Sequence, residues 1–510
     1  MNLPTFTELH SISDLHLGGT PGFQIFASGS EAEKAIHFLR DLAPERKVAL
    51  VINGDLVDFL AEAPATYFDP AGAGAKLNRI VDEPAFQPVW NALRGFVRTP
   101  SRHLIITLGN HDVELSLPWV REHLLDLLSS DPTAPETEPD AAARGRITLA
   151  FDGAGYLCKV GGAKVLCVHG NEVDTWNVTD FERLRRSGRD LVQSRVSDRE
   201  KEPWIPNAGT RLVIDIMNSI KRSFPFIDLL KPEAEAAVPT LLALDPNAAR
   251  RLAGIAGTVK RLAWDTIRRR TGFLGGSEPE TTIIPAASTI DPAVQLDRKV
   301  RQVFGGGGGG ANADQYANEL LRRTEDRIKN DEAPLDLIGG DQQQEYLGLG
   351  GALWDFVRGR ERSEVLRSAL DQLEKDRSFD PKKPDETFAL LDAQVGPDID
   401  FLLSGHTHLE RALPRTNGPG FYFNSGTWVR LMKLGQDVLK DPVKFGDVFK
   451  VLNAGTMQAL DDAPGLVFRR NTMVSIWMDG STVRGELRHV SLNNGKLELE
   501  PVPETQFVRT

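Results

Sequence analysis

The sequence predicts an α/β fold interrupted by a large, mainly helical insertion. Short and nearly continuous apolar runs, such as 48–52 and 165–168, end at polar or glycine-rich turns, as strands that are buried on both faces do. Between about residues 176 and 395 strand patterns are rare and helical spacing of apolar residues dominates. Near the end of the sequence, two strand-like runs within 472–490 are joined by Asp479-Gly480, a pairing typical of a hairpin.

Length and composition bound the organisation of the chain. Its 510 residues, 41% hydrophobic and 26% charged, are typical of globular protein with two or three cores. We predict a core whose first part is 1–175, an insertion at 176–395, and a second part of the core at 396–510. Because no apolar run is long enough to span a bilayer and the first residues lack a signal-peptide pattern, we expect a cytoplasmic protein.

Cysteine content and net charge bear on disulfide formation and on nucleic-acid binding. Cys158 and Cys167 flank a predicted hairpin around Gly161-Gly162, and in a reducing cytoplasm we expect both to be free thiols. The formal net charge of -11 argues against a general nucleic-acid binder, because phosphate backbones require a basic surface.

Five short motifs carry residues that can bind metal ions. They are Asp14-Leu15-His16, Gly54-Asp55-Leu56-Val57-Asp58, Gly109-Asn110-His111-Asp112, Val168-His169-Gly170 and Gly405-His406-Thr407-His408. Each follows an apolar run, and α/β sheets place their sites at the carboxyl ends of strands. Taken singly, each motif also has a structural reading, since Gly-Asp and Gly-Asn are ordinary turn pairs. Together they supply carboxylate, amide and imidazole donors for two adjoining divalent ions.

The order of these motifs resembles that of the calcineurin-like metallophosphoesterases, whose pattern reads D-x-H, G-D-x-x-D, G-N-H-[DE], a lone His and G-H-x-H. The resemblance covers roughly residues 5–185 and 398–430. It implies a four-layer fold in which a two-sheet β-sandwich is flanked by helices. It also implies a metal-dependent phosphoric ester hydrolase that cleaves a phosphorus–oxygen bond by attack of a metal-bridging hydroxide.

The resemblance further implies two ligand sets, which share Asp55. They are Asp14, His16, Asp55 and His408 for the first ion, and Asp55, Asn110, His169 and His406 for the second. A shared carboxylate suits two close cations, because an anion between them offsets part of their repulsion. We expect two divalent ions, with manganese as the first choice and iron, zinc or cobalt also compatible with mixed oxygen and nitrogen donors.

Three polar neighbours of the ligands receive roles from the same resemblance. His111 would protonate the leaving group or stabilise the transition state, and Asp112 would orient it by accepting its other ring proton. A loop cap is the alternative for Asp112. Asp58 would hold the turn that carries Asp55, with a purely structural role equally open.

His169 and His406 lie 237 positions apart, and the insertion at 176–395 accounts for most of this gap. Apolar residues at helical spacing predict a helix over 178–196, with Thr179 as its N-cap. Apolar residues at helical spacing among many Arg and Lys residues predict a basic amphipathic helix at 250–270, which could contact an anionic membrane or could simply present a solvated face over a packed stripe. Residues 277–291 and the six glycines at 305–310 are typical of flexible connections.

The predicted metal ligands do not determine which phosphoester is the substrate, and we expect the insertion to select it. The segments 13–17 and 53–59, and the Arg-rich helix after His169-Gly170, resemble bacterial UDP-2,3-diacylglucosamine pyrophosphatases, although those enzymes commonly have Arg where this chain has His111. A lipid-precursor pyrophosphatase is therefore one alternative. A nucleotide or nucleic-acid phosphodiesterase is another, and a non-catalytic metal-binding scaffold that recruits a partner through the insertion is a third.

Overall fold

A computed structural model of the protein describes residues 2–130, 140–174, 176–193, 204–230, 363–364, 366–367, 370–371 and 378–509. The predicted basic helix at 250–270 and the predicted flexible segments at 277–291 and 305–310 lie outside these residues. Among the helices that are described, none is both long and apolar enough to cross a membrane.

The strands of the described residues form two large sheets and a small two-stranded one. In chain order they are β1 (Thr5–Phe6), β2 (Glu8–Ile12), β3 (Val48–Asn53), β4 (Arg102–Thr107), β5 (Ile147–Ala150), β6 (Tyr156–Val160), β7 (Ala163–Cys167), β8 (Phe401–Ser404), β9 (Arg411–Pro414), β10 (Phe421–Asn424), β11 (Arg430–Met432), β12 (Val467–Arg469), β13 (Thr472–Asp479), β14 (Thr482–Asn493), β15 (Lys496–Pro501) and β16 (Phe507–Arg509).

The chain divides into two compact units. The first unit comprises Met1–Pro206, Ser378–Lys433 and Thr456–Thr510. It contains both large sheets and the helices Gly29–Arg40, Ala73–Asp82, Gln87–Arg98, Pro118–Ser129, Ala141–Arg144, Phe181–Val192, Glu386–Gln394 and Met457–Asp462, with a 3-10 turn at Val113–Ser116. All five motifs belong to this unit.

The second unit comprises Asn207–Arg377 and Leu434–Gly455. Its described residues are helical, with the segments Ala208–Leu212, Val213–Met217, Asn218–Ile220, Pro225–Leu229, Gln436–Leu439 and Pro442–Leu452. Val213–Met217 is a single π-helical turn. The predicted core and insertion boundaries at 175 and 396 stay a prediction.

The larger sheet has the strand order β15-β14-β13-β2-β3-β4-β5, with β16 also paired to β14. Strands β2 to β5 run parallel to one another, and the connections between them contain helices, as parallel pairing requires. Strands β13 and β14 form the predicted C-terminal hairpin, in which Asp479 lies opposite Thr482. The parallel half therefore aligns the carboxyl ends of β2, β3 and β4 along one edge.

The smaller of the two large sheets has the order β1-β6-β7-β8-β10-β9. Strands β7 and β8 are parallel neighbours, with Val165 opposite Phe401, although the insertion separates them along the chain. Strands β6 and β7 form the predicted hairpin, in which Cys158 lies opposite Val165. Cys158 and Cys167 are free and buried, which confirms the expectation of free thiols.

Buried side chains define four layers in the first unit. In β3, Val48, Leu50 and Ile52 face the helices on the outer side of the larger sheet. The alternate residues Ala49 and Val51 face the inner core, which also contains side chains of β6, β7, β8 and β10. A third cluster joins the helix Glu386–Gln394 to the outer face of the smaller sheet. The predicted mixed α/β fold, with two sheets between layers of helices, is confirmed.

The helix that follows the fourth motif begins later than the sequence pattern predicts. It spans Phe181–Val192, and its N-cap is Asp180, whose carboxylate accepts the backbone N–H of Arg183. The predicted cap, Thr179, instead accepts a hydrogen bond from Asn171 Nδ2 at 3.2 Å. Because both residue types are good caps, the sequence alone could not choose between neighbours.

Candidate metal centre

The five motifs follow five strands at the aligned carboxyl ends of the two sheets. Asp14, Asp55 and Asn110 come shortly after β2, β3 and β4 of the larger sheet, while His169 and His406 come two residues after β7 and β8 of the smaller one. Since these strands are parallel neighbours within each sheet, their loops lie side by side. The fold thus gathers residues that are almost 400 positions apart.

Most of the predicted ligands have an unusual backbone conformation. Positive φ angles occur at Asp14 (55°), His16 (47°), Asp55 (51°), His406 (70°) and His408 (59°). Residues other than glycine adopt this left-handed region rarely, at a cost on the order of 1–3 kcal/mol each. The surrounding packing must therefore hold these turns in place, and it aims the side chains away from the strand direction.

Three motif glycines allow the loops to approach one another closely. A Cβ atom at Gly109 would lie 2.1 Å from Asp55 Oδ1 and 2.6 Å from Asp55 N. A Cβ at Gly54 would lie 2.2 Å from His169 Nδ1, and one at Gly405 would lie 2.6 Å from Asp14 Oδ2. Any side chain at these positions would push a predicted ligand out of place.

The residues predicted to bind the first ion converge. His408 Nε2 lies 3.4 Å from Asp14 Oδ1, and His16 Nε2 lies 3.9 Å from the same oxygen. The His16 and His408 rings stack with centroids 5.0 Å apart. Asp55 Oδ2 lies 3.6 Å from His16 Nε2, so the fourth predicted ligand belongs to the same cluster.

The residues predicted to bind the second ion adjoin this cluster through Asp55. His169 Nε2 lies 3.1 Å from Asp55 Oδ2, and the His169 and His406 rings are 5.3 Å apart. Asp14, Asp55 and His169 each offer a donor atom within 4.8 Å of the others'. The structure therefore brings together the predicted carboxylates and imidazoles, with one oxygen of Asp55 between His16 and His169.

Several donor atoms in this cluster are buried and unsatisfied. Among the described residues, Asp14 Oδ1, His16 Nε2 and Asn110 Oδ1 have no hydrogen-bond partner. A buried polar atom without a partner costs on the order of 1–3 kcal/mol, and more when it is charged. Because divalent cations satisfy such oxygen and nitrogen atoms, these residues fit a metal centre.

Each of the four histidines also has a polar neighbour on its other ring nitrogen. His169 Nδ1 contacts the carbonyl oxygen of Asn53 at 2.7 Å, and His408 Nδ1 contacts Thr427 Oγ1 at 3.0 Å. The other two contacts are His16 Nδ1 to Asp58 Oδ2 at 3.4 Å and His406 Nε2 to Asp174 Oδ2 at 2.8 Å. Such contacts fix the ring orientation of metal-binding histidines.

The carboxylates and imidazoles of the cluster shift one another's pKa values. Burial raises the pKa of Asp14 despite the nearby histidines. Burial also opposes the charged form of His169, but the charge and hydrogen bond of Asp55 outweigh it and raise the pKa of His169 to about 10. The charges of His169 and His111 hold the pKa of Asp55 below its usual range despite burial. Asp55 and His169 thus stabilise each other's charged forms.

Asp112 accepts hydrogen bonds from the backbone of two motifs, as the loop-cap alternative for this residue predicts. Asp112 Oδ1 accepts the backbone N–H of Gly109 at 2.7 Å, and its Oδ2 accepts that of Leu56 at 2.9 Å. Its carboxylate therefore braces the backbones of two motifs against each other. Burial, with the charge of Asp55, raises the pKa of Asp112 to about 8.

Asp58 occupies the position predicted for Asp112. Its Oδ1 lies 3.2 Å from His111 Nδ1, and its Oδ2 faces His16. Although burial opposes the charged form, His111 and His16 hold the pKa of Asp58 well below its usual range. The imidazole of His111 packs edge-on against His16 with centroids 4.6 Å apart. Asp58 thus links His111 to the first ligand set.

Three further residues contact the cluster, and two of them, Asp174 and Asn177, were not singled out from the sequence. Asp174 and Asn177 contact His406 and Asn110, and Thr427 contacts His408 while its hydroxyl donates to the carbonyl of Asp14 at 2.9 Å. Thr427 belongs to the polar run Asn424-Ser425-Gly426-Thr427 after β10, so its position at a strand end was a usable signal. Asp174 and Asn177 stand in an ordinary polar loop that carries no such signal.

One family of known proteins is similar to part of this chain. The sequence model of the calcineurin-like phosphoesterase family matches residues 10–216. The matched range contains the first four motifs, and the fifth, with His406 and His408, lies beyond it. No curated protein matches the chain.

Proposed function

We propose that this chain, whose residues 10–216 match the calcineurin-like phosphoesterase family, is a metal-dependent phosphoesterase in which two divalent ions would share Asp55. The observation that carries this proposal is the position of Asp55 Oδ2, which lies 3.6 Å from His16 Nε2 and 3.1 Å from His169 Nε2. One carboxylate oxygen thus adjoins both ligand sets. The first would consist of Asp14, His16, Asp55 and His408, and the second of Asp55, Asn110, His169 and His406.

The reaction assigns tasks to the metal ions and to the side chains. When bound, two divalent ions neutralise phosphoryl charge and activate water for attack. His111 stands at the edge of this cluster, with Nδ1 beside Asp58 Oδ1. When protonated, the imidazole could donate from Nδ1 to Asp58 and give the Nε2 proton to the departing oxygen. Asp58, rather than Asp112, orients this acid.

Burial differs among the residues of the cluster. Asp14, Asp55 and His169 are almost entirely buried, whereas His111 keeps 8% of its surface exposed and His406 is half-buried. The shared carboxylate is thus shielded, while His406 and His111 lie nearer the solvent. A site of this kind strengthens electrostatic interactions with a phosphoryl group.

The test is metal-dependent hydrolysis by the purified protein. We expect Mn²⁺ to restore activity to chelator-treated protein, and elemental analysis to find two ions per chain in the active form. A panel of an aryl phosphate monoester, a bis-aryl diester, a cyclic nucleotide and a lipid-linked nucleotide sugar would define the ester class. Metal-loaded protein that hydrolyses none of them would support the scaffold alternative, and full activity with one ion would remove the two-ion proposal.

Substrate selection by the insertion is a separate part of the proposal. The lipid-precursor and nucleotide alternatives make different predictions on the same panel, since only the first favours the lipid-linked substrate. Replacing residues 231–362 by a short flexible linker leaves every predicted ligand in place. We expect this variant to keep its rate on the aryl phosphate and to lose its preference among the larger substrates. An unchanged preference would show that the other residues select the substrate.

A further inference from the structure

The loop between β7 and the helix Phe181–Val192 makes two contacts with predicted ligands of the second ion. Asp174 Oδ2 lies 2.8 Å from His406 Nε2, and Asn177 Oδ1 lies 3.5 Å from Asn110 Nδ2. His406 and Asn110 come from different sheets and are far apart in the sequence. The loop, here called the 171–179 loop, is therefore a common support for both.

Asp174 and Asn177 also hold each other. Asn177 Nδ2 donates to Asp174 Oδ2 at 2.7 Å, so the oxygen that faces His406 also accepts from Asn177. The other oxygen, Asp174 Oδ1, accepts the backbone N–H of Trp176 at 2.8 Å. Both oxygens of this carboxylate are thus held by hydrogen bonds within the loop, which fixes the direction in which it meets the imidazole.

A buried asparagine anchors the loop from within. Asn171 is fully buried, and its Nδ2 donates to the carbonyl of Asn177 at 3.1 Å and to Thr179 Oγ1 at 3.2 Å. The backbone N–H of Asp174 also donates to the carbonyl of Asn171, and that of Asn177 donates to the carbonyl of Asp174. The positions of Asp174 and Asn177 are therefore determined by the loop and do not require the ligands.

We propose that Asp174 and Asn177 are positioning residues for the second ion, which orient His406 and Asn110 through one connected network. Asp174 holds His406 Nε2, so Nδ1 is the nitrogen that His406 presents to a metal ion. Asn177 holds the amide nitrogen of Asn110, so the buried and unpartnered Oδ1 is the atom that Asn110 presents. This inference rests on the proposed two-ion function.

The test compares metal affinity in variants of the full-length protein. Asp174→Ala should weaken the binding of one Mn²⁺ ion by about 10–100-fold, the usual effect of losing an outer partner, and leave the other ion within about twofold. Asn177→Ala should weaken the same ion. Because both residues act in one network, the double variant should lose less than the product of the two single effects. Calorimetric titration of metal-free protein with Mn²⁺ measures the affinity for each of the two ions.

Two controls separate positioning from loss of structure. Asp174→Asn keeps the shape and one acceptor oxygen, so its affinity should fall between those of the wild type and Asp174→Ala. Asp180→Asn removes a charge from the same connection while keeping an N-cap, and should leave both affinities unchanged. The melting temperature of the metal-free protein should change little in Asp174→Ala, while its rise on adding Mn²⁺ should shrink.

The outcomes distinguish this inference from the proposed function. If the wild type neither binds two ions nor hydrolyses phosphoesters, the proposed function fails. If it does both and Asp174→Ala binds both ions as tightly as the wild type, only the positioning role is wrong. An unchanged affinity with a raised KM would assign Asp174 to the substrate instead, and an equal fall in melting temperature with and without Mn²⁺ would assign it to the fold.

Discussion

The two halves of the candidate metal centre are held in place by different means. In the first half, Asp14, His16 and His408 all have left-handed backbone angles, and the loops themselves direct the side chains. In the second half, His406 has such an angle but Asn110 and His169 do not, and side chains from the 171–179 loop contact Asn110 and His406. Asp55 joins the halves. The halves therefore differ in how many of their own ligands have this backbone conformation, and in the second half a loop side chain contacts Asn110, which lacks it.

Replacing the shared carboxylate should break both halves at once. Asp55→Asn removes the anion that lies beside His16 and His169, so both ions should bind weakly. Since metal ions contribute several kcal/mol of transition-state stabilisation, and about 1.4 kcal/mol is tenfold, we expect kcat/KM to fall by about 10³-fold or more. Elemental analysis and steady-state kinetics measure the two effects. A variant that keeps two ions and wild-type turnover would contradict the shared role.

Adding a side chain at Gly109, next to the shared Asp55, should cause the next largest loss of activity. A Cβ at Gly109 would meet both the side chain and the backbone of Asp55, so Gly109→Ala must displace it. A misplacement of about 1 Å costs about 10²-fold in rate. Gly405→Ala meets the Ser13 and Asp14 side chains instead and should cost less.

A matched control for these glycines lies in the helix Ala73–Asp82. A Cβ at Gly74 would have no atom within 4 Å, so Gly74→Ala should keep full activity and stabilise the fold by about 0.5–1 kcal/mol. Equal kinetic losses in Gly74→Ala and Gly109→Ala would show that the close approach to Asp55 has no special role.

The two acidic neighbours of His111 should give opposite phenotypes. Asp58→Asn removes the charge beside His111 Nδ1 and should lower kcat by about 10²-fold, within the range of acid–base contributions. Asp112→Asn places an amide against the N–H groups of Gly109 and Leu56, and should destabilise the protein by about 1–3 kcal/mol. Measurements of kcat and of thermal unfolding distinguish the two variants. The reverse assignment, with kcat lost only in Asp112→Asn, would restore Asp112 as the orienting residue.

The smallest effect should come from the partner of His408 in the first half. Thr427→Val keeps the size of the side chain and removes the acceptor for His408 Nδ1. Because the left-handed backbone still directs His408, we expect Mn²⁺ affinity to fall by about tenfold at most. Asp174→Ala should exceed this loss in the second half. A larger loss in Thr427→Val would overturn the contrast between the halves.

The sequence predicts strands and strand-end motifs well because these patterns are local. The apolar runs at 48–52 and 165–168 and the turn residues after them depend on near neighbours alone, and the five motifs could be placed at one edge before any contact was known. Side-chain direction is not local. Asp58 and Asp112 both stand three residues or fewer from a ligand, and only the packed loops determine which of them faces His111.

The contacts of the 171–179 loop were unpredictable for a related reason. Asp174 and Asn177 have the composition of any polar turn, and their partners His406 and Asn110 are distant in the sequence. The position of the helix N-cap is a similar case. Asp180 and Thr179 are adjacent, and both are residue types that commonly cap helices. Tertiary packing decided each of these cases.

The parallel pairing of β7 with β8 determines when this centre can first assemble. Strand β8 lies between β7 and β10, yet 237 residues separate His169 from His406. At about 5–20 residues per second, a ribosome takes roughly 12–50 s to synthesise that interval. During this time, the edge of β7 that later pairs with β8 has no native partner, and unpaired edges invite wrong pairing. The first four motifs are therefore synthesised long before the fifth, and a nascent chain can complete this candidate centre only after His408 has been synthesised.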